Sequence, residues 1–131
     1  MKAVDTNVLV RYLVQDDPRQ GKKAAEYIEG AARAAEPILI GNIVLCETAW
    51  VLDSAYGYSR AEIHSALEKI LQSSTFQFEA KDLLWAALEQ YRSIKADFAD
   101  CLIGQIHKAF GCEPTVTFDS ALQKLSTFQL L

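Results

Sequence analysis

The sequence is poor in cysteine, proline and glycine, and each shortage excludes a class of protein. Its 131 residues include 3 Cys, 3 Pro and 6 Gly. An odd number of cysteines without metal-type spacing indicates neither a disulfide framework nor a structural zinc site. We expect Cys46, Cys101 and Cys112 to be reduced, mostly buried thiols of a cytoplasmic protein. The sparse proline and glycine lie at element boundaries, which favours a single domain over residues 1–131.

Long apolar runs and an excess of positive charge are also missing. Polar residues such as Asp5, Arg11 and Glu47 interrupt the apolar stretches, so no segment of about 20 residues is suited to cross a bilayer. Asp5 also stands where a signal peptide needs apolar residues, and export is therefore not expected. Thirteen basic and seventeen acidic residues give a net charge of −4, which argues against binding nucleic acid through bulk positive charge. A nucleic-acid enzyme with its acids gathered at a metal ion is still compatible with this balance.

Half of the residues are hydrophobic, and their periodicity alternates between that of strands and that of helices. Strands are predicted over 2–4, 38–40, 75–78, 115–118 and 128–130. Helices are predicted over 6–14, 20–35, 43–55, 60–71, 81–91 and 97–110, and a short helical piece is predicted over 121–124. A capping box at Ser59 and Glu62 opens the fourth helix. Strands separated by helices predict an α/β fold, with a parallel sheet covered by helices on both faces.

Three local patterns give more detailed expectations. Asp17 before Pro18 predicts a helix N-cap, with Gln20 reaching back to complete it. In the same helix, Tyr27 and Ile28 are placed on the inner face. Asn42 is expected to cap the helix over 43–55.

Several acids stand where apolar residues are expected. Asp5 and Asp119 end the first and fourth strands, and parallel sheets bind ligands at the carboxyl ends of their strands. Glu47 has only apolar neighbours three and four positions away along its helix: Ile43, Val44, Trp50 and Val51. A carboxylate among such neighbours is expected to face the interior or an enclosed cleft, where it must be paired, protonated or bound to a cation.

Asp97 and Asp100 are three residues apart, so they share one face of a helix with the small Gly104. Asp97 could equally be the helix cap, and Asp119 could cap the segment that follows it. If these acids converge they repel one another, and a divalent cation such as Mg²⁺, which prefers oxygen ligands, would remove that repulsion. Metal-assisted hydrolysis of a phosphodiester is the chemistry suited to such a group.

Four motifs, in order along essentially the whole chain, resemble those of the PIN-domain ribonucleases. Within that family the likeness is greatest to the VapC toxins of toxin–antitoxin modules. The motifs are Val4-Asp5-Thr6-Asn7, then Leu45-Cys46-Glu47-Thr48-Ala49, then Asp97-Phe98-Ala99-Asp100-Cys101-Leu102-Ile103-Gly104, and finally Thr115-Val116-Thr117-Phe118-Asp119.

The resemblance implies a three-layer α/β/α fold with strand order 3-2-1-4-5, in which Asp5 and Asp119 would be neighbours. It also implies Mg²⁺- or Mn²⁺-dependent endonucleolytic cleavage of RNA. Site residues follow by position: the catalytic acids would be Asp5, Glu47, Asp100 and Asp119, the supporting residues would be Thr6, Asn7, Asp97 and Thr117, and Asp5 and Asp100 would be the direct metal ligands, with Glu47, Asp97 and Asp119 acting directly or through water.

The same resemblance implies two partners besides RNA. Toxins of this kind are held inactive by a cognate VapB-like antitoxin, and a guanidinium from such a partner can compensate the same carboxylates as the metal. Homodimers are usual in the family. Contact with DNA would be indirect, through the antitoxin, and no membrane is involved.

Other interpretations stay open from the residues alone. A PIN nuclease of RNA maturation without an antitoxin would use identical chemistry, and an inert binding module would use the acids to hold a basic tail. A phosphohydrolase of the haloacid dehalogenase type needs an Asp where Asn7 stands, which argues against it. Trp50 is placed in the core or at an interface. A weak phosphate-facing patch or, more simply, a solvated helix face could be formed by Arg11, Arg19, Lys22 and Lys23.

Overall fold

The computed structural model describes residues 1–131 as two compact units, Met1–Lys81 and Asp82–Leu131. In chain order the strands are β1 Lys2–Ala3, β2 Ile38–Ile40, β3 Phe76–Phe78, β4 Thr115–Thr117 and β5 Phe128–Leu130. The α-helices are α1 Thr6–Val14, α2 Pro18–Arg33, α3 Asn42–Ser54, α4 Arg60–Gln72, α5 Lys81–Ser93 and α6 Phe98–Ala109, and Ser120–Lys124 form a short 3₁₀ helix.

All strand pairs are parallel. In the first unit β1 pairs with β2 and β2 with β3, in the register Ala3 to Leu39 and Leu39 to Gln77. In the second unit β4 pairs with β5, with Thr117 opposite Leu130. Six helices and parallel strands confirm the predicted α/β class. The orders 3-2-1 and 4-5 match parts of the predicted sheet, while the pairing of strands one and four is not among the hydrogen-bonded pairs and stays a prediction.

The helices of the first unit form where apolar periodicity and caps predicted them. Ser59 and Glu62 make the complete capping box of α4, and Ile63, Leu67 and Leu71 are buried along that helix. The backbone and side-chain hydrogen bonds to Ser59 lower the pKa of the Glu62 carboxyl. Asp17 caps α2 as predicted, accepting from the Gln20 backbone N–H at 2.9 Å.

Three local expectations for these helices are wrong. The Gln20 side chain does not reach back to the cap, because its Oε1 accepts instead from Arg11 Nε at 2.7 Å. Tyr27 is 44 % exposed rather than on the inner face, whereas Ile28 is buried as expected. Asn42 does not cap α3: Gly41 occupies the N-cap position without a side-chain bond. Trp50, placed in the core or at an interface, is 67 % exposed, which excludes the core, and its place at an interface stays a prediction.

In the second unit, α6 packs closely against the start of β5. A Cβ atom on Gly104 would lie only 2.7 Å from Phe128 Cε2 and 2.8 Å from Thr127 Oγ1. Real carbon atoms do not approach that closely, so glycine is what allows this approach. Helix α6 ends as predicted, with Gly111 in the left-handed region at φ 85°.

The three cysteines are free, as expected, but they differ in burial. Cys101 is buried, Cys46 is intermediate and Cys112 is exposed, which corrects the expectation of mostly buried thiols. No helix combines the length and apolar character needed to cross a membrane.

Candidate functional site

Asp5 lies between β1 and α1 and is exposed. Its Oδ1 accepts the backbone N–H of Val8 at 3.0 Å, so the carboxylate caps α1. Its second oxygen, Oδ2, makes no hydrogen bond and is available to a ligand. The cap fixes the direction of the side chain, which suits Asp5 for the role predicted from the end of the first strand.

Glu47 is exposed, which corrects the expectation that it faces the interior. The apolar neighbours that suggested burial are themselves partly open to solvent, because Ile43 is 75 % and Trp50 67 % exposed. The buried face of α3 is instead formed by Leu45, Ala49 and Leu52, together with Thr48.

Thr6 orients Glu47. The Thr6 hydroxyl, in the first residue of α1, donates to Glu47 Oε1 at 2.7 Å and so joins the first motif to the second within one unit. The bond uses one carboxylate oxygen and leaves Oε2 without a hydrogen-bond partner. The supporting role of Thr6 stays a prediction, and this hydrogen bond is the contact through which Thr6 would act. Asn7, predicted to support the site, is exposed on the same turn of α1.

Glu79 was missed by the sequence analysis. It follows β3, and its Oε2 accepts the backbone N–H of Asn42 in a short hydrogen bond. This carboxylate thus replaces the absent side-chain cap of α3, and its charge is favourable at the positive end of the helix dipole. The only signal was its position, an acid directly after a strand, as for Asp5.

In the second unit Asp97, Asp100 and Asp119 interact electrostatically. Partial burial, followed by the charges of Asp97 and then Asp119, raises the pKa of the Asp100 carboxyl. Asp100 is half-buried in the first turn of α6 and makes neither a hydrogen bond nor an ion pair. The spacing predicted that Asp97 and Asp100 share a face of α6; Asp119, placed in the sequence at the end of the fourth strand, also lies close enough to act on Asp100.

Asp97 occupies the N-cap position of α6 but makes no side-chain capping hydrogen bond. Of its two predicted roles, the cap is therefore not formed through the carboxylate. Asp119 does cap the 3₁₀ helix, because its Oδ1 accepts the Ala121 N–H at 2.9 Å. Thr117 Oγ1 accepts the backbone N–H of Asp119 at 3.0 Å, so this predicted supporting residue holds the turn that carries Asp119.

The donor chemistry of both units fits a hard divalent cation. Every candidate ligand is a carboxylate oxygen, the ligand type that Mg²⁺ prefers. The ion pairs of the first unit are Lys2–Glu36, Arg11–Asp16 and Lys22–Glu26, and they involve neither Asp5 nor Glu47. Neither unit by itself contains three or more His, Cys, Asp or Glu side chains arranged around a common metal position.

The comparisons with known proteins give one match. A family model described as PIN domain matches residues 2–127, which is nearly the whole chain. No curated protein and no solved structure matches the chain.

Proposed function

We propose that this chain, which belongs to the PIN-domain family, is a metal-dependent endoribonuclease that cleaves RNA phosphodiester bonds. PIN domains are generally nucleases and typically use divalent metal ions. The observation that carries the proposal is Asp100, a half-buried carboxylate close to Asp97 and Asp119 and without a basic partner in any ion pair. Burial and the two neighbouring acids both disfavour its negative charge, and a bound cation would offset them.

Asp5, Glu47, Asp100 and Asp119 are proposed as the catalytic acids. Asp5 and Asp100 would hold Mg²⁺ or Mn²⁺ directly, and Glu47, Asp97 and Asp119 would act directly or through water. When bound, the ion would supply an activated water and stabilise the charge that develops on the phosphate oxygens. The free Oδ2 of Asp5 and Oε2 of Glu47 are the atoms that this assignment requires.

The supporting residues hold these acids in place. Thr6 keeps Glu47 in one orientation through its hydroxyl, and the Thr117 hydroxyl does the same for the backbone at Asp119. A cation at these carboxylates would also bring an acidic protein, of net charge −4, together with an anionic substrate.

Cleavage of structured RNA by the purified protein tests the proposal. We expect cleavage in Mg²⁺ that stops in EDTA, and at least a hundredfold slower cleavage by Asp5→Asn, Glu47→Gln and Asp100→Asn, in line with the large effects of removing catalytic groups. Asp53→Asn, in the same helix as Glu47, is the matched control and should cleave as wild type does. Equal cleavage by all variants would indicate a contaminating nuclease and contradict the proposal.

We further propose that the protein is a cytoplasmic toxin of the VapC type, neutralised by a VapB-like antitoxin and acting as a homodimer. The acidic group suits a basic side chain from a partner. Large exposed apolar side chains, such as Ile43, Trp50 and Phe118, suit a protein interface.

Expression in cells separates the toxin from the two alternatives. Growth arrest by the wild type and normal growth with Asp100→Asn would support a toxin. Normal growth with both, but RNA cleavage in vitro, would favour a maturation nuclease. Binding of a basic partner without any cleavage would favour an inert module. Sedimentation analysis would report the dimer.

A further inference from the structure

A groove of about 540 Å³ in the first unit runs from Asp5 along the surface of α1 and α2. Small apolar side chains line part of it: Ala3, Val4, Val8 and Ala24. The ring of Tyr27 lines it too, and the Nζ of Lys2 lies 5.0 Å from the centroid of this ring, so one face of the ring is covered by a cation. The volume and the apolar part of the lining are suited to a planar ring system.

Two basic side chains, two amides and one carboxylate line the rest of the groove. Arg11, Lys23, Gln20 and Asn7 line it together with the Asp5 carboxylate. Lys23 is exposed and has no ion-pair partner, so it offers its full charge to an anion. Lys22, its neighbour in sequence, does not line the groove, and its Nζ forms an ion pair with Glu26 Oε1 at 4.0 Å.

The amide of Gln20 has a fixed orientation. Because Arg11 Nε donates to Gln20 Oε1 at 2.7 Å, the amide NH₂ must point away from Arg11. The Nη1 of Arg11 forms an ion pair with Asp16 Oδ1 at 3.1 Å and donates a hydrogen bond to the Tyr56 hydroxyl at 3.0 Å. The NH₂ of Gln20 is therefore a hydrogen-bond donor whose direction is set by the contacts of Arg11 with Asp16 and Tyr56.

From this arrangement we infer that the groove binds one nucleoside of single-stranded RNA next to the phosphodiester that is cleaved. The base would lie among the apolar side chains and Tyr27, an acceptor on its edge would receive the Gln20 NH₂, and Lys23 would contact the neighbouring phosphate. Gln20 and Tyr27 are then specificity-determining residues. The inference rests on the proposed function, because it takes Asp5 to mark the scissile phosphate.

The polar groups favour RNA over an apolar protein segment. An apolar segment would leave Lys23 and the oriented amide of Gln20 without partners. A nucleotide offers an apolar ring, an acceptor edge and an anion at once, which complement the apolar side chains, the Gln20 amide and Lys23.

Equilibrium binding in EDTA tests the groove independently of cleavage. Fluorescence anisotropy with short single-stranded RNAs of random sequence should show that Tyr27→Ala weakens binding at least about fivefold, the loss expected for one stacking contact. Lys23→Ala should weaken binding by a similar factor through loss of its phosphate contact. Lys22→Ala removes the same charge from the adjacent residue and should change affinity less than twofold. Equal RNA affinity for wild type, Tyr27→Ala and Lys23→Ala would overturn the inference and leave a protein partner as the occupant.

Cleavage of a random RNA library, read by sequencing, tests specificity. We expect wild type to prefer one base beside the cut, and Gln20→Ala to lose that preference while still cleaving. An unchanged preference in Gln20→Ala and Tyr27→Ala would overturn the inference although the nuclease stands. Absence of metal-dependent cleavage by wild type would instead contradict the proposed function, and the binding results in EDTA would still decide whether the groove takes RNA.

Discussion

At the scale of single residues, the candidate carboxylates are under two different constraints. Asp5 and Asp119 cap helical segments, and Glu47 accepts from Thr6, so each of the three has one oxygen engaged by the protein. Asp100 has no such bond, and its environment opposes its negative charge. A site built in this way holds its acids in position while leaving charge uncompensated, as a cation-binding site requires.

Replacing Asp100 by asparagine should therefore stabilise the metal-free fold at neutral pH. The pKa of Asp100 in the folded protein is raised above its ordinary 3.8, so the charged form disfavours folding at pH values above the folded pKa. Because solvent screens a half-exposed carboxylate, the gain from Asp100→Asn should be at most about 1 kcal/mol, or about 2–5 °C in melting temperature.

The pH dependence of this gain provides its check. In EDTA the difference in melting temperature between Asp100→Asn and wild type should shrink as the pH falls through the folded pKa, and vanish below the ordinary value, where Asp100 is protonated in both states. The exposed Glu113→Gln serves as control and should show no such trend. A variant less stable than wild type at pH 7 would show that Asp100 is stabilised by contacts rather than strained by charge.

At the scale of elements, α3 shows how a site is supported from outside its own sequence motif. Its N-terminus has no capping side chain in its own sequence, and the backbone N–H of Asn42 donates instead to Glu79, which follows a strand more than thirty positions later. The same helix carries Glu47. Loss of the Glu79 carboxylate should therefore loosen the helix that positions a proposed catalytic acid.

Glu79→Ala is expected to lower the free energy of unfolding by about 1 kcal/mol, the usual effect of losing a helix cap. Glu79→Gln keeps an acceptor oxygen and should lose less. Urea unfolding measures both, with Glu29→Ala, an exposed acid of α2, as control. If Glu79→Ala unfolds at the same urea concentration as Glu29→Ala, the bond to Asn42 N contributes nothing to stability.

The contact of α6 with β5 gives a second prediction for this scale. Gly104→Ala would place a carbon within 3 Å of Thr127 and Phe128, and should cost about 1–3 kcal/mol through overpacking. Gly30→Ala, in the last turn of α2, meets nothing closer than Arg33 Nη2 at 3.8 Å and should stabilise by about 0.5–1 kcal/mol. Thermal unfolding would show opposite shifts; two stabilising substitutions would contradict the close packing at Gly104.

Local signals account for what could be predicted from the sequence. Helix α1, strands β2 and β5 and the capping box of α4 were predicted with their bounds or partners, because periodicity and capping act over a few residues. The burial of Glu47 and Tyr27 was predicted wrongly, since both depend on what packs against their helices and not on their neighbours in sequence. The contact of Glu79 with α3 could not be predicted for the same reason, because its partner, Asn42, is distant along the chain. The proximity of Asp5 and Asp119 stays a prediction.

At the scale of the whole molecule, a small acidic chain of the PIN-domain family carries its candidate acids in both halves of its sequence. Asp5, Glu47 and Asp119 each accept a hydrogen bond that orients the carboxylate, and Asp100 has neither a hydrogen bond nor an ion pair. Both properties have one explanation in the proposed function: a divalent cation is the missing counter-charge, and RNA is the anion that it brings to the protein.

Direct titration with Mn²⁺, followed by the electron paramagnetic resonance of the free ion, tests this central claim without relying on any substrate. We predict that wild type binds Mn²⁺, that Asp5→Asn and Asp100→Asn each weaken Mn²⁺ binding at least about tenfold, and that Asp53→Asn leaves it unchanged. Loss of a residue that only orients a metal ligand typically weakens metal binding at least tenfold, and loss of the ligand itself should weaken it at least as much. Binding that is absent in wild type, or identical in all four proteins, would contradict the account.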